Sequence, residues 1–504
     1  MSTVKEAPAA AAPPACPAPP ATIEETGLIP ESLDDLLLKM LYVQGTKTGR
    51  ELAEALALPF DGLDARMLML QERRFLQVVG TVGPNRGSYR FSLTEIGHER
   101  AREAMATCQY VGPAPVPLPD YEVWVRRQGV GQLRLTRPQV EKGVGDLVFP
   151  KQLFETLGPA VNSARSVFLH GDAGNGKTSL AEAVASMIGG EMFIPYAVDI
   201  SGQIMVLFDP SHHDVVPEPA RPDATWLREA PRHDPRYFRV RRPVVTAGGE
   251  LTLDQLDLQY DYNTKMYQAP FQLKAAGGVL IIDDFGRQRV PAADLLNRWI
   301  VPLEKRYDYL TLHTGVKFRV PFESLLIFAT NLEPEDLVDE AFLRRIQYKL
   351  YLGSPDREAY TEIFRRVCAA RHVPFDPAAV DFVYREYYDA AAIPPRACHP
   401  RDVVEHVLDI AKFEGTPPLL TTEYLRRACE AYFLVMAGRA MRRRSSMTGA
   451  TPRKDISAAT LRKDITAAAP PRKDITAAAA RQDIPAAAPR QDIPAATPRK
   501  DIGA

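Results

Sequence analysis

Ser166-Val167-Phe168-Leu169-His170 runs without a break into Gly171-Asp172-Ala173-Gly174-Asn175-Gly176-Lys177-Thr178-Ser179. The first five residues form the short apolar run of a buried strand, and Gly171 to Thr178 satisfy G-x-x-x-x-G-K-[ST]. From Thr178 to Met187, Leu180, Ala181, Val184 and Met187 recur at helical spacing. Strand, glycine-rich loop and helix in that order predict a phosphate-binding loop. Glycines leave backbone N–H groups free to cradle phosphate oxygens at a helix N-terminus, where the dipole also favours negative charge. Gly171 to Ser179 are therefore the candidate binding segment. Lys177 would reach the β- and γ-phosphates, and the Thr178 hydroxyl would hold the magnesium ion that bridges them. No base-reading motif that would select guanine is evident, so ATP with Mg2+ is the expected ligand pair.

Downstream, Val279-Leu280-Ile281-Ile282-Asp283-Asp284 is an apolar strand ending in two acids, the pattern of a central parallel strand that presents carboxylates at its C-terminal edge. Asp283 would join the magnesium shell and Asp284 would polarise the attacking water. Leu325 to Asn331 is a third apolar strand with a polar end, where Asn331 could orient that water or cap the strand. Arg344 and Arg345 follow shortly after, in Asp339 to Ile346.

Taken in order, these landmarks resemble the AAA+ ATPase family over roughly residues 141–438. The resemblance matches Lys177 and Thr178 to Walker A, Asp283 and Asp284 to Walker B, and Asn331 to sensor 1. Arg344 and Arg345 match the arginine-finger position, with Arg345 the first choice, and Arg401 of His399-Pro400-Arg401-Asp402 matches sensor 2, with Arg396 the alternative. Most relatives carry Glu where this chain has Asp284, a one-methylene shortening that bears on turnover rather than on nucleotide binding. The resemblance implies an α/β P-loop three-layer sandwich with a parallel sheet over 141–352 and a helical lid over 353–438. It also implies ATP hydrolysis and a homo-oligomeric ring, commonly a hexamer.

Lys177 and Asp283 stand far apart for this family, and Phe208 to about Val245 is rich in Pro, His and Arg, which predicts an insertion over about 208–245. Tyr307 to Val320 alternates around His313-Thr314-Gly315 as a hairpin does. A hairpin ahead of sensor 1 is similar to the branch holding MoxR-type chaperone ATPases and the bacterial enhancer-binding activators; the activators' Gly-Ala-Phe-Thr-Gly-Ala loop is not in this sequence, which tilts the choice toward a MoxR-like or unassigned branch. Tyr260, Tyr262 and Tyr267 are candidates to line a central pore, although packing is the commoner use of such residues.

Before this region, residues 31–107 read as three helices, a hairpin and a helix, and resemble a winged helix. The third helix would offer Arg66, Arg73 and Arg74 to a DNA major groove, with Arg86 at the wing tip, so residues 48–90 are a possible DNA contact. Against that, the segment holds 10 Lys+Arg and 11 Asp+Glu, and Asp61 and Asp64 would repel phosphates. Protein docking and DNA binding both stay open. A proline-rich stretch over 108–140 reads as a linker, and the Ala/Pro-dominated residues 1–30 as a disordered leader.

From 439 the chain reads as a disordered tail in which Arg-Lys/Gln-Asp-Ile recurs from Arg453, Arg462, Arg472, Arg481, Arg490 and Arg499. From Ala440 onward it carries 13 Lys+Arg against 6 Asp, in a 504-residue chain whose net charge is only -1. That balance excludes a polycation built to coat nucleic acid, while the repetition suits multivalent docking. Five scattered cysteines without a C-x-x-C pair, no long apolar run and no signal-peptide pattern point to a cytoplasmic protein without membrane contact. The leading function is an ATP-driven remodelling motor acting on a protein or nucleoprotein client. The alternative is an ATP-gated, DNA-binding transcriptional regulator.

Overall fold

A computed structural model of the chain describes residues 16–217, 233–337, 344–390 and 394–433. The repeat tail from 439 and the first half of the leader lie outside the described residues.

Five parallel strands form the central sheet, in the spatial order Val244–Ala247, Val279–Ile282, Leu325–Ala329, Val167–His170, Tyr348–Tyr351. Val279–Ile282 and Leu325–Ala329 are buried at every residue, as their unbroken apolar runs require of strands covered on both faces. Alternate side chains serve the two faces. Val167, Leu169, Ile281 and Ile327 pack with Leu180 and Val184 of the helix Lys177–Ile188 and with Leu157 and Val161 of Lys151–Asn162. Phe168, Leu280, Ile282 and Phe328 pack on the other side with Leu295, Leu296 and Trp299 of Ala292–Lys305. The helices Arg357–Ala370, Pro377–Val383, His399–Glu414 and Thr422–Tyr432 then enclose their own core around Tyr360, Phe364, Val403 and Val407. Helix layers on both faces of this sheet, with the glycine-rich loop leaving an interior strand and a helical lid following, make the P-loop AAA+ α/β architecture.

Three expectations need correction. The stretch 108–140 is not a free linker. Val116–Pro117 is the edge strand of a second five-stranded sheet, followed by Leu118–Arg127, a helix that buries Tyr121 and Val125. Proline is tolerated at a sheet edge, so proline content alone misleads there. The inserted structure also begins earlier than residue 208. Ala197–Ile200, Gln203–Val206, Gln259–Asp261 and Met266–Gln268 complete that second sheet, and Glu191–Pro195 pairs with Tyr237–Arg241. Val244 and Val245, at the end of the expected insertion, belong to the central sheet.

The third correction concerns the leader. Residues 16–29 pack rather than dangle: Ile23 and Leu28 are buried, Asp234 N–H donates to the Pro17 carbonyl at 2.8 Å, and Arg236 Nη1 donates to the Thr26 carbonyl at 3.1 Å. Buried apolar side chains and hydrogen bonds to Asp234 and Arg236 hold the segment, although its composition is dominated by Ala and Pro.

Residues 30–107 fold as helices Pro30–Gln44, Gly49–Leu56, Phe60–Glu72 and Glu95–Thr107 around a small antiparallel sheet ordered Lys47–Thr48, Tyr89–Leu93, Leu76–Thr81. Thr48 caps the second helix reciprocally with Glu51, at 3.2 Å and 2.7 Å. Two of the four arginines considered for DNA are occupied within the fold. Arg66 forks onto Asp34 at 2.9 Å and 2.5 Å, and Arg86 binds Asp64 at 2.8 Å and 2.9 Å.

The hairpin ahead of the Leu325–Ala329 strand forms from Tyr307–Thr311 and Lys317–Pro321. Tyr260 stacks on its His313 at 3.9 Å, and the buried Tyr267 hydroxyl is bonded to the same imidazole. Of the three tyrosines considered for a pore, Tyr262 alone is well exposed, at 77%.

Candidate functional site

The glycine-rich loop meets its backbone demands with positive φ at Gly171, Gly174 and Gly176. At Gly174 the need is double. Its φ is +83°, and a Cβ there would lie 2.5 Å from Cys398 Sγ of the helical lid. Lys177 opens the following helix, and its ammonium donates to the Gly171 and Asp172 carbonyls, both at 2.8 Å. Burial depresses its pKa, opposed by the carboxylates of Asp172, Asp283 and Asp284. Gly171 and Asp172 thus serve as holders of Lys177, whereas Ala173 through Ser179 line a cavity of about 480 Å³.

Asp283, Asp284, Asn331 and Arg401 line the same cavity. Thr178 Oγ1 donates to Asp283 Oδ2 at 2.9 Å, and Asn331 Nδ2 donates to Asp284 Oδ1 at 3.0 Å. Three chain segments that follow neighbouring strands of the sheet at their C-terminal ends, and Arg401 of the lid helix His399–Glu414, are thus brought to one place. Asp284 has φ +48° and its N–H donates to Asp283 Oδ1 at 2.9 Å. Asp is among the residues that enter the left-handed region most readily, so the shorter acid suits this turn better than Glu would.

The two arginines expected at the finger position do not line this chain's own cavity. Arg344 is exposed, and Arg345 is paired with Glu304. Arg396 also lies off the cavity wall, whereas Arg401 is on it, its guanidinium 3.0 Å from Asp402 Oδ1.

A family model described as a domain of unknown function, DUF8689, matches residues 356–431, within the helical lid. No curated protein matches the sequence. Among solved structures, the chain is similar to the RuvB Holliday junction branch migration motor of Thermotoga maritima, at 16% identity over 56% of this chain and 70% of that one, with a TM-score of 0.32. It is also similar to NtrX from Brucella abortus, at 13% identity over 65% of this chain and 59% of that one, with a TM-score of 0.32. Among the described residues, no helix is long and apolar enough to cross a membrane.

Sequence reasoning missed the far wall of the cavity. Asp146, Leu147, Val148 and Phe149 close one side, and Ile363, Arg366 and Val367 of the lid close another. Arg366 Nη1 donates to the Gly145 carbonyl at 2.6 Å and ties the lid to that strap. The apolar run Leu147-Val148-Phe149 ahead of a helix was the available signal. Leu147, Val148, Phe149, Ile363 and Val367 thus place apolar side chains on the cavity wall next to the glycine-rich loop.

Proposed function

We propose that this chain is an ATP hydrolase of the AAA+ type that couples turnover to remodelling of a protein client as an oligomeric ring. The observation that carries this reading is the convergence of Lys177, Thr178, Asp283, Asp284 and Asn331 on one cavity. The oxygens of Thr178 and Asp283, 2.9 Å apart, are hard donors of the kind Mg2+ accepts, and magnesium usually leaves its remaining positions to water and phosphate. A bound magnesium ion would neutralise charge on the β- and γ-phosphates. Lys177 adds a second cation to the same oxygens, and the loop N–H groups hold the rest of the phosphate chain. Asp284, fixed by Asn331, is the group that would accept a proton from the attacking water. Leu147, Phe149, Ile363 and Val367 would enclose the base, so that binding draws the lid toward the core.

Asp284→Asn tests the assignment directly. The variant keeps the Asn331 contact and the cavity, so it should bind ATP as the wild type does. Turnover should fall by about a hundredfold or more, the range that general-base catalysis supplies. Equal loss of binding and turnover, or full activity, would remove Asp284 from the base role; phosphate release beside equilibrium nucleotide binding reads both.

The module over 31–107 is read as a winged helix that docks protein rather than DNA. Asp34 and Asp64 already occupy Arg66 and Arg86, which leaves Arg73 and Arg74 without carboxylate partners among the described residues. Two phosphate contacts predict a slope of only about −2 when the logarithm of DNA affinity is plotted against that of salt concentration. A steep slope in duplex-DNA titrations would restore the DNA-gated regulator.

A further inference from the structure

Arg401 is an exposed cation on the rim of the nucleotide cavity, and its guanidinium is held from one side. Nε donates to Asp402 Oδ1 at 3.0 Å, and Nη2 approaches the same oxygen at 3.0 Å. The other oxygen of that carboxylate, Oδ2, accepts from Tyr432 Oη at 2.6 Å. Each Asp402 oxygen therefore has its own partner, one facing the cavity and one facing the bundle.

Tyr432 ends the helix Thr422–Tyr432, and its ring is fixed by neighbours. It meets His399, His406 and Phe433 with centroids 5.6, 6.0 and 4.9 Å away. His399 Nδ1 in turn bonds the Tyr388 hydroxyl at 2.7 Å, and Tyr388 meets the hydroxyl of the fully buried Tyr360 at 3.0 Å. Burial and the Asp402 carboxylate push the Tyr432 hydroxyl well above the ordinary tyrosine range, so it stays a donor at neutral pH. The segment leading to Arg401 also touches the phosphate loop: Cys398 N–H donates to the Gly174 carbonyl at 2.8 Å, and Ala397 N–H donates to Asn175 Oδ1 at 3.3 Å. A rigid aromatic core, a carboxylate and a cavity cation are thus linked in series.

We infer that Tyr432 is a positioning residue for the triphosphate: its hydroxyl fixes Asp402, and Asp402 holds Arg401 where a γ-phosphate would meet it. The inference rests on the reading of Arg401 as a phosphate contact. Two physical effects favour ATP in this arrangement. An arginine already held gives up less rotamer freedom when it engages phosphate. With Tyr432 occupying Oδ2, Asp402 also cannot close both oxygens on the guanidinium fork, a geometry that would compete with the phosphate. Neither effect reaches a ligand without a γ-phosphate.

The test compares affinities of the full chain for the non-hydrolysable analogue AMP-PNP and for ADP in Tyr432→Phe, Arg401→Ala and the double variant. Tyr432→Phe should weaken AMP-PNP binding by about three- to tenfold, the cost of ordering one long side chain, and leave ADP unchanged. In the Arg401→Ala background it should have no further effect. Asp402→Asn should give the same ATP-selective loss, again absent when Arg401 is missing, and it serves if Tyr432→Phe does not fold, with ADP affinity reporting the fold. Equal weakening of both nucleotides, or an effect that survives removal of Arg401, would overturn the inference and leave Tyr432 as packing. If Arg401→Ala leaves the AMP-PNP to ADP ratio unchanged, the phosphate reading itself fails, and the positioning role goes with it. A changed ratio in Arg401→Ala with none in Tyr432→Phe and Asp402→Asn overturns the positioning role alone.

Discussion

Lys177→Ala is expected to reduce ATP turnover below detection and to weaken nucleotide binding by about a hundredfold. Lys177 is 7% exposed, and its ammonium is held by the Gly171 and Asp172 carbonyls rather than by a carboxylate. Those two contacts keep it above the loop without neutralising it, so its charge remains available to a phosphate chain. A charge-assisted hydrogen bond contributes about 1.5–3 kcal/mol, and the upper end of that range corresponds to roughly the expected loss in affinity. The effect on the transition state is larger, because charge develops on the oxygens that Lys177 would meet. Equilibrium binding of a fluorescent ATP analogue, with phosphate release measured on the same preparation, reads both quantities. Turnover within a few-fold of wild type would mean that phosphate leaves from somewhere other than this cavity.

The loop half of the candidate site was legible in the sequence because its constraints are local. Fixed spacing makes the loop, and strands buried on both faces must be unbroken apolar runs, so Val279–Ile282 and Leu325–Ala329 announced themselves. The strap-and-lid half was not legible, since Leu147, Phe149, Ile363 and Val367 are ordinary apolar residues until the fold brings the strap and the lid together. Val244–Ala247 escaped for a related reason. As the edge strand of the sheet it alternates exposed and buried residues, and so it resembles the polar insertion that precedes it. The second sheet is built from strands of two to four residues, too short for any periodicity to register. Asp284 shows the opposite case. The sequence exposed its departure from Glu, and only the backbone, with φ +48°, supplied a reason for the shorter acid.

Arg345→Ala is expected to lower turnover by about a thousandfold or more while leaving nucleotide affinity near that of the wild type, the behaviour of an arginine supplied to another subunit's site. Within one chain Arg345 is away from the cavity and bound to Glu304. That pair is partly exposed, with side chains 30% and 42% accessible, so breaking it costs at most about 1 kcal/mol. A triphosphate carries more negative charge than that carboxylate, so the Glu304 pair alone would not hold Arg345 back from a neighbour's nucleotide. Mixing decides whether the exchange occurs between subunits. Arg345→Ala chains keep an intact Lys177, and Lys177→Ala chains keep an intact Arg345. Where the two adjoin in the right order, a complete site forms, and random assembly of equal amounts should recover about a quarter of wild-type turnover. Turnover per subunit of the wild type should also rise with protein concentration as rings assemble. Recovery on mixing two inactive chains has no explanation within a single subunit. A mixture as silent as its parts, beside wild-type turnover that is flat across concentration, would place the whole reaction in the monomer and return Arg345 to its pairing with Glu304.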